Sequence, residues 1–115
     1  MRESQLQNQI RLALSEYGIP FRTNSGEFYQ GKRIYDPRYK QDILIDLRRV
    51  SGLPKGFSDL LFIGDGRTAF LEVKTKNGIV RPEQEQFLHQ MQQYHHLAGV
   101  ARSVEDAIKI IKGEI

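Results

Sequence analysis

Three charged residues stand where charge is costly. Asp59 opens the apolar run Leu60-Leu61-Phe62-Ile63, and Glu72 and Lys74 interrupt a second run, Thr68-Ala69-Phe70-Leu71-Glu72-Val73-Lys74. Gly64-Asp65-Gly66 lies between them, and Asp-Gly is a strong signal for a tight hairpin turn. Residues two apart on a strand share a face, so Glu72 and Lys74 point the same way. Pairing across the turn brings Asp59 beside Glu72 at one end of the hairpin. Adjacent carboxylates repel, and one is driven toward its neutral form unless a cation offsets the charge. Hard oxygen ligands favour Mg²⁺ or Mn²⁺, and Mg²⁺ typically takes one or two carboxylates with waters and substrate phosphate. Lys74 could orient or deprotonate a water there, or stabilise charge developing at a phosphate. The same three residues also fit a salt-bridge ladder on a strand surface.

The elements that must hold these residues are mostly legible. Leu6, Ile10, Ala13, Leu14 and Tyr17 recur at helical spacing, which predicts an amphipathic helix over residues 3–17, stopped by Gly18 and Pro20. A short strand is expected over 19–23, then a turn at Asn24-Ser25-Gly26. Residues 28–35 read as a hairpin turning at Gln30-Gly31. Residues 36–56 are compatible with either a strand or a short helix. After the two apolar strands, Pro82 fits the first turn of a helix reaching Ala98, with Phe87, Leu88, Met91, His95 and Ala98 as its apolar stripe. Val100-Ala101-Arg102 is a short strand. Ser103 and Asp106 have the spacing of a capping box before a last helix that Gly113 stops. The expected architecture is a single α/β domain over residues 1–115, a mixed β-sheet flanked by helices in α-β-β-β-α-β order with an inserted hairpin.

Composition narrows the function. The 115 residues contain no cysteine, which excludes disulfides, thiol catalysis and cysteine-ligated zinc or iron–sulfur sites. No apolar run approaches the ~18–20 residues needed to span a bilayer. No secretory signal follows Met1, so a cytoplasmic protein is expected. The net charge of +3 is unevenly placed: residues 22–55 hold eight basic and four acidic side chains, so they carry +4 and the remainder −1. Phe28, Tyr29, Tyr35 and Tyr39 lie among those bases, a mixture that suits phosphate contact plus stacking on bases, or equally a solvated hairpin with cross-strand aromatic pairs. The adjacent pair His95-His96 is a poor metal site, since neighbours on a helix point about 100° apart.

Asp59, twelve intervening residues, then Glu72-Val73-Lys74 resembles the PD-(D/E)xK nuclease superfamily. Gly56 three residues before the acid, Pro82-Glu83-Gln84 after the lysine strand, Glu3 on a first helix and the polar Asn24-Ser25 turn together resemble the VRR-NUC (virus-type replication–repair nuclease) domain, in the compact stand-alone form of phages and bacteria. The resemblance spans nearly the whole chain and is weakest over residues 30–52. It implies a restriction-endonuclease-like core. It implies that Asp59, Glu72 and the Val73 carbonyl bind Mg²⁺ or Mn²⁺, with Glu3 contributing directly or through water, that Lys74 is the catalytic lysine and that Gln84 lines the active site. Asn24 and Ser25 match a turn leading into the site. Lys32, Arg33, Lys76 and Arg81 are expected to contact DNA phosphates. Family members often carry proline before the motif aspartate, and Ser58 stands there here.

The resemblance implies a metal-dependent deoxyribonuclease, with no organic cofactor, that leaves 5′-phosphate and 3′-hydroxyl ends. So small a chain has little surface for reading base sequence, which favours structure-selective cutting. Two symmetric cuts at a four-way junction suit a two-fold homodimer, making a Holliday-junction resolvase the leading expectation. The alternatives are a flap, fork or nicking endonuclease of replication and repair, and a DNA-binding module that kept the fold without the chemistry.

Overall fold

Asp65 and Gly66 adopt left-handed backbone angles, φ 45° and 77°, as a two-residue hairpin turn requires. They join strand β4 (Leu60–Gly64) to strand β5 (Arg67–Val73). The computed structural model in which these elements are seen describes residues 1–24, 28–50 and 52–115. Leu60 pairs with Leu71 and Gly64 with Arg67 in this antiparallel ladder. Strand β1 (Ile19–Arg22) runs antiparallel on the other side of β4. Strand β6 (Leu97–Ala101) runs parallel to β5, reached through helix α2 (Pro82–Gln93). The sheet order is therefore β1-β4-β5-β6, mixed as expected.

The period-two alternation of the strands sorts apolar residues into two cores. Leu60, Phe62, Ala69, Leu71 and Val73 face one side, where they meet Leu6, Ile10 and Leu14 of helix α1 (Glu3–Leu14) and Ala107, Ile110 and Ile111 of helix α3 (Val104–Ile111). Leu61 and Phe70 face the other side and pack with Phe57, Phe87, Leu88 and Met91, beneath α2. Phe57, Phe70 and Phe87 meet edge-on or tilted, with centroids 4.5–5.9 Å apart. Asp59, Glu72 and Lys74 share the parity of Leu61 and Phe70, so they lie on the α2 side of the sheet. Among the described residues, no helix is long and apolar enough to cross a membrane.

Three expectations need correction. Helix α2 ends at Gln93 rather than Ala98, because His95 takes a left-handed conformation (φ 70°) and Leu97 already begins β6. His95 is therefore exposed, and Ala98 packs from a strand. Helix α1 ends at Leu14, so Tyr17 lies outside it, with the Lys112 ammonium 5.3 Å from its ring centre. The hairpin does not turn at Gln30-Gly31. Strand β2 (Phe28–Asp36) continues through these residues and pairs with strand β3 (Gln41–Val50), the loop being residues 37–40. Asp36 closes that loop by accepting from the Arg38 amide at 2.8 Å and its guanidinium at 3.0 Å. The Arg38 hydrogen bond holds its carboxyl below the usual range.

What Gly31 marks is a β-bulge. The register shifts between Gln30 and Lys32, and Asp46 on β3 adopts φ 54°. A Cβ on Gly31 would come within 2.7 Å of the Ile45 carbonyl oxygen, so the bulge needs glycine opposite it. The arm formed by β2 and β3 leaves most of its side chains exposed. It stretches the molecule to 54 Å, with a radius of gyration of 17.0 Å. A compact chain of this length would have about 13 Å.

Candidate active site

Asp59 and Glu72 come together because each is the next residue beyond Leu60 and Leu71, the terminal pair of the β4–β5 ladder. Asp59 Oδ2 accepts from the Val73 amide at 2.8 Å, locking the aspartate to the end of β5. In an extended strand a residue's N–H and C=O project toward the same edge, so the Val73 carbonyl lies on the Asp59 side. Glu72 is 1% exposed, and its Oε1 accepts from Gln84 Nε2 at 2.9 Å. The Lys74 ammonium lies 3.7 Å from the same oxygen. Burial pushes the Glu72 carboxyl up to about 8; the Asp59 charge and a hydrogen bond to Asp59 add to the rise, Lys74 opposes it, and Glu3 adds a smaller upward push.

Gln84 reaches Glu72 from the first turn of α2. Its Oε1 accepts from the Arg81 amide at 2.9 Å, so the side chain is a helix cap and an active-site contact at once. Glu3 arrives from the first turn of α1 and lines the same open cavity, of about 680 Å³, as Asp59, Glu72, Lys74, Gln84 and Arg81. Glu83 sits between two bases at the rim, 3.9 Å from the Lys55 ammonium and 3.7 Å from the Arg81 guanidinium.

The expected metal ligands fit a hard cation in part. Two carboxylates and a main-chain carbonyl at one place are a donor set for Mg²⁺ or Mn²⁺ that leaves sites for water. A cation there would also offset the repulsion that drives Glu72 toward its neutral form. Among the described residues, however, no group of three or more His, Cys, Asp or Glu side chains converges. Glu3 lines the cavity, and its charge adds to the upward push on Glu72.

The expected DNA contacts divide. Arg81 lines the acid cavity, but Lys32 and Arg33 lie halfway along the arm, where Arg33 pairs with Asp42 at 3.3 Å. Lys76 borders a separate depression with Thr75, Asn77 and Arg102. Asn24 is exposed just past β1 and does not line the acid cavity, and Ser25 lies outside the described residues. No motif in the sequence marks Arg49 and Lys55, yet both line it. The charge of residues 22–55 points to them, but a stretch of undefined conformation hides which of its bases face the acids. Thr23 has no signal of its own either. Its amide donates to the Asp59 carbonyl at 2.9 Å, and its hydroxyl donates to the Ser58 carbonyl.

The family model described as the VRR-NUC domain matches residues 1–105. No curated protein matches the chain significantly.

Proposed function

Since the chain belongs to the VRR-NUC domain family and is thereby a nuclease of the virus-type replication–repair group, we propose that it is a Mg²⁺- or Mn²⁺-dependent DNA endonuclease, selective for branched DNA and active on four-way junctions as a homodimer. The observation that carries the reading is the trio on one sheet face: half-buried Asp59 tied to the Val73 amide, buried Glu72 beside it, and buried Lys74 3.7 Å from Glu72, all at an open cavity edged by Arg49, Lys55 and Arg81.

Asp59, Glu72 and the Val73 carbonyl would hold the metal, with Glu3 acting through water. The bound cation would lower the pKa of a water and neutralise charge at a phosphate. Lys74 positions the attacking water and stabilises charge that develops on the phosphate oxygens. Gln84 keeps Glu72 in place through its 2.9 Å hydrogen bond. Arg49, Lys55 and Arg81 attract the backbone on either side. In-line attack of water on phosphorus breaks the bond to the 3′ oxygen, leaving a 5′-phosphate and a 3′-hydroxyl.

The homodimer reading draws support from the arm. Isolated two-stranded hairpins are marginal in water, and this one exposes Tyr29, Tyr35, Leu44 and Leu47 by half or more. The outer part of the sheet also leaves Ile19, Phe21 and Ile63 exposed. These surfaces offer apolar area to a second copy.

The test is cleavage of a labelled panel: linear duplex, single strand, splayed fork, 5′ and 3′ flaps and a four-way junction. Each is run with Mg²⁺, with Mn²⁺ and with chelator. The expected result is metal-dependent, paired cutting of the junction that Glu72→Ala and Lys74→Ala abolish. Cutting of forks or flaps alone would reassign the substrate and keep the site. Tight binding without cutting in either metal would overturn the enzyme reading in favour of a DNA-binding module.

A further inference from the structure

We infer that Thr23 and Ser58 are positioning residues that hold Asp59 in its working orientation through two hydroxyl hydrogen bonds. The inference rests on the reading of Asp59 as an active-site acid.

Asp59 lies one residue before β4 begins, where the strand ladder no longer sets the backbone by itself. Three bonds fix it instead. The Thr23 amide donates to the Asp59 carbonyl at 2.9 Å, extending the β1–β4 ladder by one rung. The Thr23 hydroxyl donates to the preceding carbonyl, that of Ser58. The Ser58 hydroxyl, completely buried, donates to the Leu60 carbonyl at 3.0 Å and so bridges over Asp59. The peptides on both sides of Asp59 are thereby pinned, and its carboxylate is presented to the Val73 amide. The Ser58 amide itself donates to no backbone carbonyl among the described residues. The stretch therefore depends on its two hydroxyls for rigidity, which a proline at 58 would supply through its ring.

Neither hydroxyl lines the acid cavity, so neither residue touches substrate, and the pair acts through Asp59. Bulk packing gives no reason for hydroxyls here. A buried hydroxyl in an apolar setting is costly unless bonded, and both are spent on main-chain carbonyls flanking one acid.

The test uses the full chain with Thr23→Val, which keeps the shape of the side chain and removes its hydroxyl, together with Ser58→Ala and Thr23→Ser. Two readouts do not involve cleavage. One is Mn²⁺ binding measured by electron paramagnetic resonance. The other is hydrogen exchange at the Val73 amide, which reports directly on whether Asp59 accepts from it. Loss of one such bond is expected to weaken Mn²⁺ binding about threefold to tenfold and to speed Val73 exchange by a similar factor. The Leu71 amide, deep in the sheet, should keep its protection, and Thr23→Ser should restore both readouts. Unchanged Val73 exchange in Thr23→Val and Ser58→Ala would overturn the inference. Wild-type protein that neither binds Mn²⁺ nor cuts DNA would instead overturn the nuclease reading, while Val73 exchange still reports on the positioning of Asp59.

Discussion

Gln84 Nε2 donates to Glu72 Oε1 at 2.9 Å while Gln84 Oε1 accepts from the Arg81 amide at the same distance. One side chain thus starts helix α2 and fastens it to an acid on β5. Gln84→Ala breaks both bonds. The lost cap costs about 1 kcal/mol, and Glu72 is left buried without its donor. The expected outcome is a melting temperature lower by several degrees and a cleavage rate reduced at least tenfold. Thermal denaturation and single-turnover kinetics measure the two losses separately. A variant that melts earlier and cuts DNA at the normal rate would confine Gln84 to a capping role.

Glu72, raised to about 8 by burial and by Asp59, ties stability to pH. Its carboxyl holds a proton more tightly in the folded chain than in the unfolded one. The stabilisation linked to that proton is complete below the ordinary glutamate range and is lost as pH rises through about 8. Metal-free protein should therefore weaken between these limits, by no more than about 1.4 kcal/mol per pH unit. Urea denaturation at a series of pH values measures the slope, and Glu72→Gln should flatten it. Divalent metal selects the ionised carboxylate. Binding at pH 7 is thus expected to release a proton, visible as a buffer-dependent heat in titration calorimetry.

The arm should carry self-association without carrying the fold. Leu44 and Leu47 are exposed and belong to neither core. Replacing both by Glu is expected to give a monomer by sedimentation equilibrium with a melting temperature close to the parent's. On a four-way junction that monomer should nick one strand and lose the paired second cut. A dimer that survives the double substitution would move the interface to another face, the β1 edge of the sheet being the next to test.

How far these features can be read from residues alone depends on the range of the interactions. The two runs flanking Asp65-Gly66 announce themselves because a local turn sets their register, and that register alone places Asp59 against Glu72. The helix start at Pro82 is equally local. The arm is easily misread because Gly31 resembles a turn residue, while its actual partner, the bulge at Asp46, is fifteen positions away and has no signal of its own. The end of α2 is ambiguous because Ala98 suits a helix stripe and a strand equally well, and pairing with Phe70 decides the matter. Arg49, Lys55 and Thr23 reach the site through long-range packing, which no short motif encodes.

Lys74 gives the sharpest division between binding and chemistry. Its side chain is buried and its ammonium lies 3.7 Å from Glu72 Oε1, so it is poorly placed to hold DNA by long-range attraction and well placed to act on a reacting phosphate. Lys74→Met keeps the aliphatic stem and removes the charge. Lost stabilisation of charge in the transition state is expected to slow cleavage about a hundredfold to a thousandfold. Junction affinity, measured by fluorescence anisotropy in Ca²⁺, should change less than threefold, because Arg49, Lys55 and Arg81 remain at the cavity. Removing the ammonium also takes away a charge that lowers the Glu72 carboxyl, so the metal should bind more weakly at neutral pH and recover as pH rises. If high Mn²⁺ at pH 9 restores the full rate, Lys74 serves the metal site alone. A rate that stays low at saturating metal assigns the lysine to the phosphate and its attacking water.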